Sequence, residues 1–349
     1  MRSYLAPRRQ TGLKQLASEL GVSITTVSRA LAGYGDVSAE TRARVTSAAR
    51  ERGYVPSRAG RMLVSGRTDF IGMVLPVRSG HLIDAFLGEF VVGLSEGLAV
   101  HGRDLFMATA TGTQTELEVL RHIVDGDRAD AIVLNRLEFD DQRVRFLIER
   151  GFPFVAHGRL LTETPSFAWF DTDGESAFAE ATRLLISFGH RRFGLITIAE
   201  PFTFAHSRRR GLEGALRQAG LALPGEAVIQ VPMSDRGAAM AAAEQLLSQD
   251  RAPTAIFGIT DAQALAVLEV CARRSIPVPG RLSVIGFDDL PVSAYANPPL
   301  TTFDQHARES AAIVAGMITD QLGNRPEAVR PRLIAPEFAL RGSHGPAPA

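Results

Sequence analysis

Arg29, at the end of the run Ile24, Thr25, Thr26, Val27 and Ser28, has the plainest recognition chemistry to offer in this 349-residue chain. A guanidinium can bond guanine bidentately in the major groove, and Ile24, Thr25, Thr26 and Ser28 are small or polar enough to enter beside it. Such a face works only on a helix that is braced from behind. Leu13, Leu16, Ala17 and Leu20 recur at helical spacing after Thr11, which can cap that first helix, and Gly21 supplies the permissive backbone at which it ends. Ser23 can then cap the second helix. A small residue at the crossing, a turn glycine four residues later and an apolar anchor on the second helix are what a tight helix-turn-helix needs, and Ala17, Gly21 and Val27 occupy those places. On this motif alone, an ordinary helical hairpin packed in a core is the alternative.

The distribution of charge favours the DNA reader. The whole chain carries 38 Lys+Arg and 38 Asp+Glu, but residues 1–68 hold 12 basic against 4 acidic side chains and the remainder 26 against 34, so a head of +8 precedes a body of −8. A small segment this basic is the electrostatic footprint of a phosphate binder. With 45% hydrophobic residues the chain can bury a sizeable core, and its length fits a small and a large domain. One cysteine, Cys271, permits no internal disulfide, and its place on a helical apolar face reads as a core thiol. The opening MRSYLAPRRQ has no apolar run after its charges and nothing later approaches a membrane span, so a cytoplasmic protein is expected.

From residue 70 short apolar runs alternate with amphipathic stretches, the pattern of a parallel sheet covered on both faces. Strands are expected at 70–76, 104–109, 131–135, 152–158, 192–198, 254–260 and 282–289, with helices at 84–101, 115–125, 141–151, 174–188, 206–220, 236–249 and 261–274. Two sets of such units, changing over near Phe170, fit two open α/β lobes with a cleft at the carboxyl ends of the strands.

Between these regions lies VSAETRARVTSAARERGYVP at 37–56, which reads as a third helix capped by Ser38 with Val45, Ala48 and Ala49 on its inner face. SRAGRMLVSGRTDFIGMVLP follows at 57–76. The order of recognition helix, VSAETR helix, GYVP and short basic hinge leading into a strand resembles the LacI/GalR family of bacterial transcription regulators, and the resemblance runs over about 330 residues. It implies an N-terminal all-α helix-turn-helix domain (1–56), a hinge helix and linker (57–69) and an α/β periplasmic-binding-protein-like domain of two Rossmann-like lobes (70–342), with a tail at 343–349. Three crossings between lobes, near 169, 300 and 330, would divide lobe 1 (about 70–168 and 301–330) from lobe 2 (about 169–300 and 331–342).

The resemblance places Ile24, Thr25 and Arg29 where operator bases are read, and Leu63 where a hinge leucine wedges into the minor groove, though Leu63 also reads as a plain linker residue. Thr11, Ser23, Thr26, Ser28, Tyr34, Arg58 and Arg61 complete the expected DNA-contacting set. Gly60 departs from the usual pattern, because an interior glycine costs a helix about 1 kcal/mol against alanine.

In the cleft, the motifs carry over Arg208 (SRRRGLEGAL), Asp261 (GITDAQA), Asp288 (VIGFDDL), Asn135 (NRL) and the pair His157 and Arg159 (AHGR) as effector contacts, with Thr260 where asparagine is common. Arginine and carboxylate can bracket vicinal hydroxyls, and Phe86, Trp169 or Phe204 could stack on a sugar ring, so a carbohydrate effector is expected. Alternatives stand beside these roles. Arg208 could begin a solvated helix, Asp261 and Asp288 could be caps, Trp169 could be core, and His190 fits a structural turn.

No phosphate-binding glycine loop, HExxH, GxSxG or zinc-type cysteine pair is present, so no catalytic residue, cofactor or metal is expected. A sugar-transport protein and a carbohydrate-processing enzyme with a fused DNA domain are the rival classes. The expected protein is a homodimer on a palindromic operator, with repression relieved by the effector, and without apolar heptads at the end of the chain to make a tetramer.

Overall fold

The computed structural model describes residues 12–31, 33–54, 66–76, 84–161, 167–323 and 330–349. Thr11, Arg58, Gly60, Arg61 and Leu63 lie outside the described residues. The chain divides between Thr68 and Asp69 into two compact units.

The first unit contains α1 (Leu13–Leu20), α2 (Ile24–Leu31) and α3 (Ala39–Glu51). Leu16, Ala17, Val27, Ala30, Val37, Val45 and Ala49 form its core. Gly21 ends α1 in the left-handed region at φ 65°, which lets the amides of Gly21 and Val22 turn back onto the last helical carbonyls. The Oγ atoms of Ser23 and Ser38 accept from the amides of Thr26 (3.0 Å) and Thr41 (3.2 Å), the caps expected for α2 and α3. The expected cap of α1 is displaced by one residue. Gly12 is its N-cap and offers no side-chain acceptor.

The second unit alternates β1 (Phe70–Pro76), α4 (Ala85–Val100), β2 (Asp104–Ala110), α5 (Glu116–Asp125), β3 (Ala131–Asn135), α6 (Gln142–Glu149), β4 (Phe154–His157) and β5 (Ala168–Thr172). It continues with α7 (Gly174–Ser187), β6 (Phe193–Ile198), α8 (Thr203–Gln218), β7 (Val228–Val231), α9 (Arg236–Leu247), β8 (Ala255–Gly258), α10 (Asp261–Arg273) and β9 (Ser283–Ile285). The short α11 (Pro291–Tyr295), β10 (Thr302–Asp304), α12 (Ala307–Leu322), β11 (Arg332–Ile334) and β12 (Glu337–Ala339) follow.

Two parallel sheets result, one ordered β11-β5-β4-β3-β1-β2 and the other β7-β6-β8-β9, with β10 and β12 pairing antiparallel. Helices cover both faces of each sheet, so β6 is buried along its whole length and β1 along all but its ends. The chain leaves the first lobe at Asp173, returns at 305–306 and leaves again at 335–336, each a few residues beyond the expected crossing.

The reason lies in strand pairing. β5 pairs parallel with β4, and Ala168 and Phe170 bury into the first lobe's core, while β11 pairs outside β5. Both strands therefore belong to lobe 1. Residues 343–349 are likewise built in rather than a free tail, since Ser343 is fully buried with its hydroxyl on Val284 O at 2.6 Å. His190 is structural, buried against Thr254 Oγ1 (2.9 Å), Ser283 Oγ (3.1 Å) and Gly345 O (3.0 Å). Cys271 is a core thiol whose pKa burial pushes up to about 11.

Candidate functional site

In the first unit, burial of Val27 and Ala30 turns Ile24, Thr25 and Arg29 outward. Thr26 and Ser28 are half-buried beside them, and Thr26 Oγ1 lies 2.8 Å from Ser23 Oγ. Arg29 is engaged at its far end, with Nη2 2.5 Å from Asp36 Oδ2 and its guanidinium 5.0 Å from the centroid of exposed Tyr34. An exposed pair of this kind exchanges readily for a base or phosphate.

In the second unit, a cavity of about 530 Å³ lies between the carboxyl ends of the two parallel sheets. Lobe 1 contributes Phe86, Asn135, His157 and Asp171, while lobe 2 contributes Phe204, Arg208, Thr260 and Asp288. Seven of the sequence-predicted contacts thus line one space: Phe86, Asn135, His157, Phe204, Arg208, Thr260 and Asp288.

Arg208 is the centre of this arrangement. It is buried on the first half of α8, where Gly174 makes room, because a Cβ there would stand 2.8 Å from Arg208 Cγ. Its Nη1 donates to Ile259 O at 2.7 Å, and the guanidinium lies 3.6 Å from the Phe287 ring centroid and 4.7 Å from that of Phe204. Its Nε has no partner, and Nη2 stands 3.8 Å from Asp288 Oδ1, beyond hydrogen-bond length.

Burial lowers the Arg208 pKa to about 10 against the opposing pull of Asp288 and Asp171. Burial pushes Asp288 up to about 8, with Arg208 opposing, and Asp171 up to about 6, with Arg159 opposing. His157 is pushed down to about 4 by burial and by Arg208 and Arg136, so it is neutral near pH 7. Phe90 packs beneath it at 4.7 Å between ring centroids, and Asn135 Nδ2 lies 3.4 Å from its Nδ1.

Three expected contacts fall elsewhere. Asp261 is fully buried below the cavity and is not part of its lining; it accepts instead from Leu290 N (2.9 Å), Ser293 Oγ (2.6 Å) and Thr302 Oγ1 (2.5 Å). Trp169 packs among lobe 1 side chains behind the sheet, where side chains on a strand point alternately to opposite faces. Arg159 lies 5.9 Å from the Trp169 ring, with Nε 3.3 Å from Asp171 Oδ2, acting on the cavity only through that carboxylate. Thr260 lines the space, but its hydroxyl is the acceptor for the amide of Ala262 and donates to Gln263 Oε1 at 2.6 Å.

Other lining residues had weaker signals in the sequence. Arg136 and Asp84 form an ion pair across the mouth of lobe 1, Thr172 presents an unpartnered buried hydroxyl, and Gln305 in the second crossing donates to Asp288 Oδ1 at 2.7 Å. Arg136 and Asp171 could have been suspected as polar residues at the carboxyl ends of strands, but nothing local marks Gln305. The end of β3 is fixed by buried Arg143, whose Nη2 donates to Asn135 O (3.3 Å) and Arg136 O (3.0 Å) and to Asp141 Oδ2 (2.6 Å).

The cavity's three arginines each have an acidic neighbour: Arg136 with Asp84, Arg208 with Asp288 and Arg236 with Glu269. Asp171 and Asp235 also line it, so five acidic side chains face three arginines; no cation is left spare for an anionic ligand, and the lining suits a neutral, hydroxyl-rich ligand better than an anion. Phe86 and Phe204 offer apolar faces beside these polar groups. Among the described residues, no group of His, Cys, Asp and Glu could hold a metal ion, and no helix is long and apolar enough to cross a membrane.

Comparison with known proteins matches both units. Residues 12–57 fit the family model described as bacterial regulatory proteins, lacI family, and residues 182–344 fit that of the periplasmic binding protein-like domain. The HTH-type transcriptional regulator AglR of Rhizobium meliloti (strain 1021) is 35% identical over 339 residues, 96% of this chain and 95% of that protein. The HTH-type transcriptional repressor CytR of Escherichia coli (strain K12) is 29% identical over 333 residues, 95% of each chain. A solved transcriptional regulator CelR–cellobiose complex superposes with a TM-score of 0.71 at 29% identity, covering 95% of this chain and 99% of that one.

Proposed function

This chain belongs to the LacI family of bacterial regulatory proteins, a family of DNA-binding transcriptional regulators, and we propose that it is a repressor whose hold on its operator is controlled by a neutral carbohydrate bound in the interlobe cavity. The single observation that carries the effector's chemistry is buried Arg208, with an unpartnered Nε and the Asp288 carboxyl 3.8 Å away at the floor of a cavity that has no spare cation. A sugar hydroxyl between Arg208 and Asp288 would accept from the cation and donate to the Asp288 carboxyl, completing both. The cellobiose bound in the CelR complex supports this ligand class.

Two copies of the chain would read a palindromic site, each placing α2 in a major-groove half-site. Arg29, Thr25 and Ile24 would read bases, with Tyr34, Ser23, Thr26 and Ser28 contacting the backbone around them. A sugar shifts the operator equilibrium only by as much as it prefers one lobe arrangement over the other, and a site made from both lobes has that preference built in. The protein works in the cytoplasm, where its operator is.

Calorimetric titration with cellobiose, maltose, melibiose and raffinose, set against glucose 6-phosphate, tests the ligand class. Binding of a neutral sugar and none of the phosphate is expected. Preference for the phosphate would overturn it.

A further inference from the structure

We propose that Arg341, on the C-terminal segment after β12, is a positioning residue of the effector cleft: by clamping Asp289 it fixes the backbone that presents Asp288 at the cavity floor. This inference rests on reading the cleft as the effector site. Arg341 does not line the cavity itself.

Asp288 and Asp289 are consecutive non-glycine residues with φ of 127° and 47°. Both values disfavour L side chains, and such a pair persists only where its surroundings over-determine it. The restraints on Asp288 are its amide on Phe303 O (3.0 Å) and Gln305 Nε2 on its Oδ1 (2.7 Å). Leu290 N, just beyond, is held by Asp261 Oδ2 at 2.9 Å.

Between these anchors Asp289 is gripped by a two-pronged contact, Arg341 Nη1 at 2.6 Å from Oδ1 and Nη2 at 3.0 Å from Oδ2. Such a fork fixes orientation as well as distance. Arg341 is in turn fixed at both ends. Its Nη1 also donates to Leu300 O at 3.1 Å, and its amide donates to Thr301 Oγ1 at 2.9 Å.

The segment beyond it is stitched to the same lobe, with Thr301 N donating to Ser343 Oγ at 2.8 Å and Val284 N to Ser343 O at 2.7 Å. A remote stretch of chain therefore reaches the cleft through one guanidinium. Asp289 and Arg341 are each about one-fifth exposed at the side chain, which leaves the pair partly shielded from competing water.

Full-length protein labelled at aspartate 13Cγ tests the proposal without any sugar, with Asp288 assigned from Asp288→Asn. Burial pushes Asp288 up to about 8, so the parent midpoint is expected well above the ordinary carboxylate range. In Arg341→Gln and in Asp289→Asn the midpoint is expected to fall toward the ordinary carboxylate range as Asp288 swings to water, and to fall no further in the double variant. Arg341→Lys, which keeps the charge but loses the fork, is expected to lie between, and it serves as the readout if Arg341→Gln does not fold. A midpoint unchanged in the variants overturns the proposal.

The second arm titrates parent and variants with cellobiose, maltose, melibiose and raffinose. A sugar that binds the parent should bind Arg341→Gln about tenfold more weakly; equal affinity overturns the proposal. Should none of the four bind the parent, it is the carbohydrate reading that falls, and the Asp288 titration still decides the role of Arg341.

Discussion

Arg208 Nη2 stands 3.8 Å from Asp288 Oδ1, close enough for the charges to feel each other and too far for a hydrogen bond. Arg208 is buried and the Asp288 side chain is only 10% exposed, so each carries a desolvation penalty that the other only partly offsets. A hydroxyl inserted between them relieves both.

Arg208→Ala should abolish the response to sugar while leaving operator binding of the unliganded protein intact. It also leaves Ile259 O without its donor and Asp288 without a cation, a destabilisation of about 1–3 kcal/mol. Operator binding and sugar titration on the same preparation check this, and loss of both functions together would mark Arg208 as structural.

The raised pKa of Asp288 makes stability fall as pH rises. Its ordinary value is 3.8 and its folded value about 8, so between those limits the folded state holds the extra proton, and the stabilisation is lost as pH passes through the upper limit. Asp171 acts in the same sense up to about 6, and His157 in the opposite sense between about 4 and 6.5. His157, His190 and His344, all lowered from 6.5 by burial, still titrate in the unfolded chain just above pH 6.5 and oppose Asp288 there, so the comparison with Asp288→Asn isolates the Asp288 contribution. In thermal unfolding of the unliganded proteins the melting point of the parent relative to Asp288→Asn should decline from pH 6.5 to 8; a constant difference would contradict it.

Gly174→Ala should weaken sugar binding without touching the first unit. The added methyl meets the stem of Arg208 at 2.8 Å, and overpacking of this kind costs about 1–3 kcal/mol. The guanidinium must shift or α7 must move. Sugar affinity and operator affinity measured in parallel check the expectation, and unchanged sugar affinity would show that the position of Arg208 is not tightly set.

Arg143→Met should destabilise the second unit by about 3–5 kcal/mol, because it strands buried Asp141 and frees the carbonyls of Asn135 and Arg136. Denaturant unfolding measures this. A loss below 1 kcal/mol would mean that the end of β3 is held by packing alone.

The elements were largely legible in the sequence, because fully buried parallel strands read as unbroken apolar runs; β1 and β3 fall at the expected residues. Lobe membership was less so. AWFDT at 168–172 buries alternate residues, and only its pairing with β4 assigns it to lobe 1. The cleft was partly legible: Asn135, His157, Arg208 and Asp288 meet as expected, while Asp261, carried over with them, faces inward, where three donors satisfy it. Gln305 and Arg341 carry no local signal, since their roles arise where the chain returns from far away.

In the first unit, Arg29→Ala should weaken specific operator binding by about 1–3 kcal/mol, measured against nonspecific DNA at the same salt. Equal affinity of variant and parent would remove Arg29 from base reading. The exposed pair with Asp36 is too weak to hold Arg29 away from DNA.

The most direct test of the regulator itself is fluorescence anisotropy of DNA from upstream of its own and neighbouring genes, titrated with purified protein at fixed salt, with and without cellobiose, maltose, melibiose and raffinose. Specific binding that one neutral sugar releases from the parent, but not from Arg208→Ala, is the expected result. No specific binding under any condition, or specific binding that none of these sugars alters, would contradict a sugar-controlled repressor.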